Sequence, residues 1–147
     1  MRVLVDTSAW VDFFNGYPSS HRAALARLIA DQQEICTCGV IVAEVFQGLR
    51  RDSGLAKLLA LFRELTFLEA SGIDLHLRAA DVYRALRRQG HTVRSTIDCL
   101  IAVLAEENNC SVLARDRDLE TLLASGLLRA RLLPVESSDR VQERFDR

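Results

Sequence analysis

The sequence lacks any apolar run approaching the roughly 20 residues that cross a bilayer. It opens on a strand-like segment ending in a charge, with nothing resembling a secretory leader. These absences point to a soluble cytoplasmic protein with no membrane partner. Histidines are few, and His21, His76 and His91 show no ligand spacing. The four cysteines, Cys36, Cys38, Cys99 and Cys110, lack the paired spacing of a zinc site. Cys36 and Cys38 alternate within a strand-like segment and share a face, so they read as buried structural thiols. A structural disulfide is not expected in a reducing compartment. Lysine is nearly absent, Lys57 being the exception among 19 basic residues. Arginine grips phosphate bidentately, but GC-rich coding favours it too, so the excess decides little. A net charge of -1 neither favours nor excludes a nucleic-acid partner.

What is present suffices for one core: 147 residues, 49% hydrophobic and 27% charged, make a single domain that needs no disulfides. Residues 2–5 (RVLV) form a short buried strand. Asp6, Thr7 and Ser8 make an N-cap-like cluster before a short helix over 9–14. Residues 15–18, ending in Pro18, break that helix. Ser19 and Ser20 cap a second helix, with Ala24, Leu25, Leu28 and Ile29 on one face. A strand over 34–37 precedes a helix over 40–49, whose apolar side is Val42, Val45, Phe46 and Leu49. Another helix starts at 52–54 and runs through Phe62, and a third strand takes 66–68. The long helix over 73–89 ends at Gly90, placed as a C′ glycine. Ser95 and Thr96 cap a helix to about Asn108, striped by Ile97, Leu100, Ile101 and Leu104. A strand at 111–114, a helix over 116–125 and a fifth strand at 131–134 follow. The fifth belongs at a sheet edge, because Pro134 has no donor for a central ladder. Residues 136–147 are charged and read as a loose tail or a partner-binding arm.

Strands alternating with helices predict an α/β fold: a three-layer α/β/α sandwich around a central parallel sheet of four to five strands. One domain over residues 1–135 carries a charged tail at 136–147. Sites in open α/β sheets form beyond the carboxyl ends of the strands. Asp6 follows the first strand directly, and Asp116 follows the fourth by one residue. Both project at one edge, and they meet if strands one and four are neighbours. Glu44 and Asp98 lie near the starts of helices that begin at the same edge, each against an apolar side.

Each acid has a simpler explanation. Asp6 and Asp116 could only cap helices. Asp98 could only favour a helix N-terminus, and Glu44 could be a solvated helix residue. None of these explains why all four share one edge. Crowded carboxylates raise one another's pKa values, and burying one unpaired is costly. A divalent cation resolves that conflict, and oxygen ligands suit Mg²⁺ or Mn²⁺. Such ions support phosphodiester hydrolysis. Asp118 is a candidate accessory acid.

Four segments carry a resemblance: VLVDTSAW at 3–10, VIVAEVFQGL at 40–49, TIDCLIA at 96–102 and LARDRDL at 113–119. Each is weak alone, but in this order and spacing the chain resembles the PIN-domain family, and within it the VapC-type toxins, over roughly 2–135. The resemblance implies Asp6, Glu44, Asp98 and Asp116 as catalytic ligands for Mg²⁺ or Mn²⁺, and a hydroxyl, Thr7 or Ser8, that orients a carboxylate or a water. It implies an endoribonuclease acting on RNA, a homodimer, and a cognate antitoxin that inserts a segment into the acidic groove. Leu119 stands where the family commonly has an aromatic, a departure that touches packing and not the acids.

Substrate grip has to come from other residues. Arg84, Arg87, Arg88 and Arg94 cluster near the end of the long helix, and Arg115 and Arg117 flank the fourth acid, so phosphate contact by some of them is expected. A solvated helix face equally accounts for the first three. Trp10 and Phe13 suit base stacking, a partner surface or the core. A haloacid-dehalogenase-type phosphatase would need a second Asp two residues after Asp6, where Ser8 stands. A receiver domain would need a Lys after a late strand, and Lys57 is elsewhere. A catalytically inactive PIN-like module that binds RNA or a protein is the remaining alternative. It would be expected to have lost an acid.

Overall fold

A computed structural model of the protein describes residues 1–49 and 52–136. The segment 137–147, most of the expected tail, lies outside the described residues. The chain runs β1 (Arg2–Val5), α1 (Thr7–Asn15), α2 (Ser20–Ala30), β2 (Glu34–Cys38), α3 (Gly39–Gln47), α4 (Leu55–Glu64) and β3 (Thr66–Leu68). It continues through α5 (Ile73–Arg88), α6 (Thr96–Glu107), β4 (Ser111–Leu113) and α7 (Arg117–Ala124). Val3, Leu4 and Val5 of β1 are fully buried, as befits a central strand covered on both faces.

The sheet is wholly parallel in the order β3–β2–β1–β4, with Val3 opposite both Ile35 and Ser111. Chain order runs from β1 outward through β2 to β3, then crosses to the other side of β1 for β4. The reversal opens a crevice where β1 and β4 end, the position that open α/β sheets use for binding. The backbone closes there: Asp6 N–H donates to the Leu113 carbonyl at 2.9 Å. Strands one and four are therefore the neighbours that a meeting of Asp6 and Asp116 requires.

Helix α1 packs on α2 and α3, while α6 packs on both α5 and α7. These two groups flank the sheet and complete three layers. Trp10 anchors the first group. It is fully buried, 4.7 Å from the Phe62 ring and stacked on Phe14 at 5.6 Å. Helix α1 starts two residues before the expected boundary, because Asp6 caps it through its side chain. Gly16 ends it in the left-handed region at φ 66°, and Gly90, at φ 87°, follows α5 as expected. All four cysteine thiols are buried.

The fifth strand is a correction. Residues 131–134 add only an isolated parallel bridge between Val112 and Leu132. Val112 N donates to the Arg131 carbonyl and Leu133 N to the Val112 carbonyl; Pro134 has no N–H to continue the ladder. Among the described residues, no helix is long and apolar enough to cross a membrane.

Candidate active site

Asp6 leaves β1 in extended conformation and is 7% exposed. Its Oδ2 accepts from Ser8 N at 3.1 Å and from Ser8 Oγ at 2.6 Å. Ser8 Oγ in turn accepts from the backbone N of Arg115 at 2.9 Å. Ser8 thus ties the carboxylate at the end of β1 to the chain leaving β4, one residue before Asp116. Asp116 caps α7: its Oδ1 accepts from Asp118 N and Leu119 N at 2.9 and 3.1 Å. The cap occupies one oxygen and leaves Oδ2 without a hydrogen bond among the described residues. Ser95 caps α6 through Ile97 N at 3.1 Å and so places Asp98 in the first turn of that helix. Glu44 is a correction: it sits past the middle of α3, not near its start, because the helix begins at Gly39; it lies next to the buried Val45.

Asp98, Asp116 and Asp118 each offer a carboxylate oxygen, and these oxygens lie within 4.8 Å of one another. Asp6, Thr7, Ser8, Glu44 and Arg94 share their cavity, of about 450 Å³. All four acids named from the sequence line this one cavity, and Asp118 joins them. Asp118 belongs to the tight triad, whereas Asp6 and Glu44 stand outside it.

Crowding has the electrostatic effect expected of it. Asp98 is pushed up to about 7, first by burial and then by Asp116, Asp6, Asp118 and Glu44. Burial also raises Asp6, against the Ser8 hydrogen bonds, and Asp116 adds to the rise. Glu44 is raised by burial, then by Asp6 and Asp116. Asp118 moves the other way, because the hydrogen bond from Arg94 holds its carboxyl low. Thr7 Oγ1 is buried and has no hydrogen-bond partner among the described residues. An all-oxygen donor set with an orphaned hydroxyl beside it fits a hard divalent cation.

The arginines divide. The Arg115 guanidinium is committed to the buried Asp12, at 2.7 Å from Nε and 2.6 Å from Nη2. Arg84 and Arg88 line a separate groove with Arg78 and Leu127, and Arg87 lies 5.8 Å over the Tyr83 ring. Trp10 is too deeply buried to stack on a base, and Phe13 packs against the core. The pairings Asp12–Arg115 and Arg94–Asp118 escaped the sequence reading. They join residues 103 and 24 positions apart, and no local pattern encodes such pairs.

Comparison with known proteins identifies the family. The PIN domain model matches residues 3–122. The chain is 36% identical to a VapC ribonuclease of Mycobacterium bovis and to ribonuclease VapC11 of Mycobacterium tuberculosis, in each case over 121 residues, 82% of this chain and 90% of the relative. Its fold is similar to VapBC2 from Rickettsia felis, solved bound to a DNA fragment from their promoter. That match has a TM-score of 0.69 at 19% identity and covers 92% of this chain and 100% of that one. A parallel sheet with the order β3–β2–β1–β4, acids gathered at its β1/β4 edge and a family match over most of the chain converge on one assignment: this protein belongs to the PIN-domain family.

Proposed function

We propose that this protein is an endoribonuclease that hydrolyses RNA phosphodiester bonds with Mg²⁺ or Mn²⁺, and that it acts in the cytoplasm as the toxin of a toxin–antitoxin pair. The observation that carries this reading is the convergence of five carboxylates on one cavity at the β1/β4 switch point. The ribonuclease names of its 36%-identical relatives support the same activity. An inactive binding module would have no need of so costly a concentration of charge.

Asp6, Glu44, Asp98 and Asp116 are the residues that would hold the cation. When bound, a divalent ion supplies positive charge for the transition state and lowers the pKa of water. The chain's own residues supply position. Ser8 fixes Asp6 by its two hydrogen bonds, and the α7 cap fixes Asp116. Asp98, raised to about 7, would have to be ionised to hold the cation. Ile97 and Ile101 form an apolar side of the cavity.

In this reading residues 1–135 are the nuclease unit and 136–147 a charged tail. The partner is a cognate antitoxin, and the protein is a homodimer. An apolar groove bordered by Val11, Phe14, Leu49, Leu58 and Leu61 supports a protein partner.

The test is cleavage of a labelled RNA by the purified protein. Cutting should require Mg²⁺ or Mn²⁺, stop with a chelator and return with excess metal; cutting that persists in the chelator contradicts metal dependence. Expression without an antitoxin should arrest growth. Normal growth with abundant soluble protein contradicts the toxin role alone.

A further inference from the structure

We propose that Arg94 grips the RNA backbone phosphate beside the bond that is cut, and that Asp118 is the positioning residue that holds Arg94 for this task. The inference rests on the ribonuclease reading above. A cavity of five carboxylates repels a polyanion, and cations held by those acids answer that only at their own coordination sites. The chain needs a fixed positive group at the rim.

Among the described residues, Arg94 is the one basic side chain lining the cavity. Asp118 Oδ2 accepts from both its Nε, at 3.0 Å, and its backbone N, at 3.1 Å. The two terminal Nη groups make no hydrogen bond among the described residues, and the side chain is 81% exposed. A guanidinium anchored through Nε presents its outer fork to solvent, and that fork matches two oxygens of a phosphate. Anchoring also removes rotamer freedom before the ligand arrives, so less is lost on binding. Of the other basic candidates, Arg117 is exposed on the first turn of α7 and does not line the cavity, and the rest are placed elsewhere. Arg115 is committed to Asp12, Arg87 lies over Tyr83, and Arg84 and Arg88 line a different groove.

Asp118 therefore differs from its neighbours in the triad. It is 16% exposed in its side chain and one of its oxygens is already taken twice. Its main effect on RNA passes through Arg94.

The experiment measures binding of a single-stranded RNA of about 15 nucleotides by fluorescence anisotropy, in an Asp6→Asn background with Mg²⁺ so that nothing is cut. Arg94→Gln should weaken binding about tenfold and reduce the slope of log affinity against log salt by about 0.7, the value of one phosphate contact on a single strand. DNA of the same sequence should lose as much, because phosphates carry no sequence or sugar information. Arg94→Lys should recover part of the loss. Asp118→Ala should weaken RNA binding alone and add nothing in the Arg94→Gln protein, as coupled residues do. Mn²⁺ affinity of Arg94→Gln, read by calorimetry, should stay within about twofold.

Unchanged RNA affinity and salt slope in Arg94→Gln overturn the proposal. So does a loss of Mn²⁺ affinity that matches the loss of RNA binding, which would make Arg94 a support of the cation site. A parent protein that neither binds nor cuts RNA overturns the ribonuclease reading as well. A parent that cuts RNA while Arg94→Gln binds it normally overturns this inference alone.

Discussion

Arg115 holds both carboxylate oxygens of Asp12, Nε at 2.7 Å and Nη2 at 2.6 Å, across 103 residues of sequence. Asp12 is 2% exposed and lies on α1, the helix that Asp6 caps. Arg115 lies between β4 and Asp116. The pair therefore fixes the two acid-bearing segments against each other, with Ser19 Oγ donating to Asp12 at 2.8 Å and the Tyr17 ring 5.0 Å from the guanidinium. Arg115→Met should destabilise the protein by about 2–3 kcal/mol, because it leaves a buried carboxylate unpaired; the figure is held down by the half-exposed arginine. Adding Asp12→Leu should recover most of that loss. Urea melts of the single and double variants measure both, and a double variant no more stable than the single one contradicts the pairing as its source.

Adjacent hydroxyls have opposite roles. Ser8 Oγ is doubly engaged, so Ser8→Ala should cost about 1–2 kcal/mol and lower RNA cleavage. Thr7 Oγ1 is buried and unpartnered among the described residues. Thr7→Val should leave stability in a chelator undiminished, since it removes a buried group that makes no bond, and should weaken Mn²⁺ binding. Thermal melts and calorimetry separate the two. Full Mn²⁺ affinity in Thr7→Val would remove that hydroxyl from the cation site.

Stability without metal should depend on pH through Asp98. Its folded pKa, about 7, exceeds its ordinary 3.8. Between those values the native state keeps a proton that the unfolded chain has released. The contribution is full below the ordinary value and is lost as pH rises through the folded one. Asp6 and Glu44, also raised, act in the same direction. His21, lowered mainly by burial, acts oppositely below its ordinary 6.5. The difference between wild type and Asp98→Asn isolates the Asp98 part. In a chelator the melting temperature of wild type should fall relative to that of Asp98→Asn from about pH 5 to about pH 8, and Mg²⁺ or Mn²⁺ should reverse the fall. Parallel pH profiles for the two proteins contradict the raised Asp98.

The fold was legible where one strand or helix carries its own signal. Residues 2–5 read as a buried strand because every position is apolar after Arg2, and β1 is the strand covered on both faces. The site edge followed from Asp6 and Asp116 standing just past strands. The fifth strand failed because 131–134 has strand-like residues, yet Pro134 allows only one bridge. Sequence alone makes Asp118 only a candidate accessory acid, because its place depends on the first turn of α7 and on Arg94, both set by tertiary structure. The charge of Arg115 can be read from sequence, whereas its partner Asp12, 103 positions away on α1, cannot.

Asp6→Asn is the most direct test of the central claim. Asn caps a helix as well as Asp does and removes a carboxyl that burial and Asp116 raise, so circular dichroism should match wild type and the melting temperature in a chelator should be no lower. Cleavage of labelled RNA in Mg²⁺ or Mn²⁺ should be abolished. A folded Asp6→Asn protein that cuts RNA at the wild-type rate would contradict the acidic cavity as the site of cleavage.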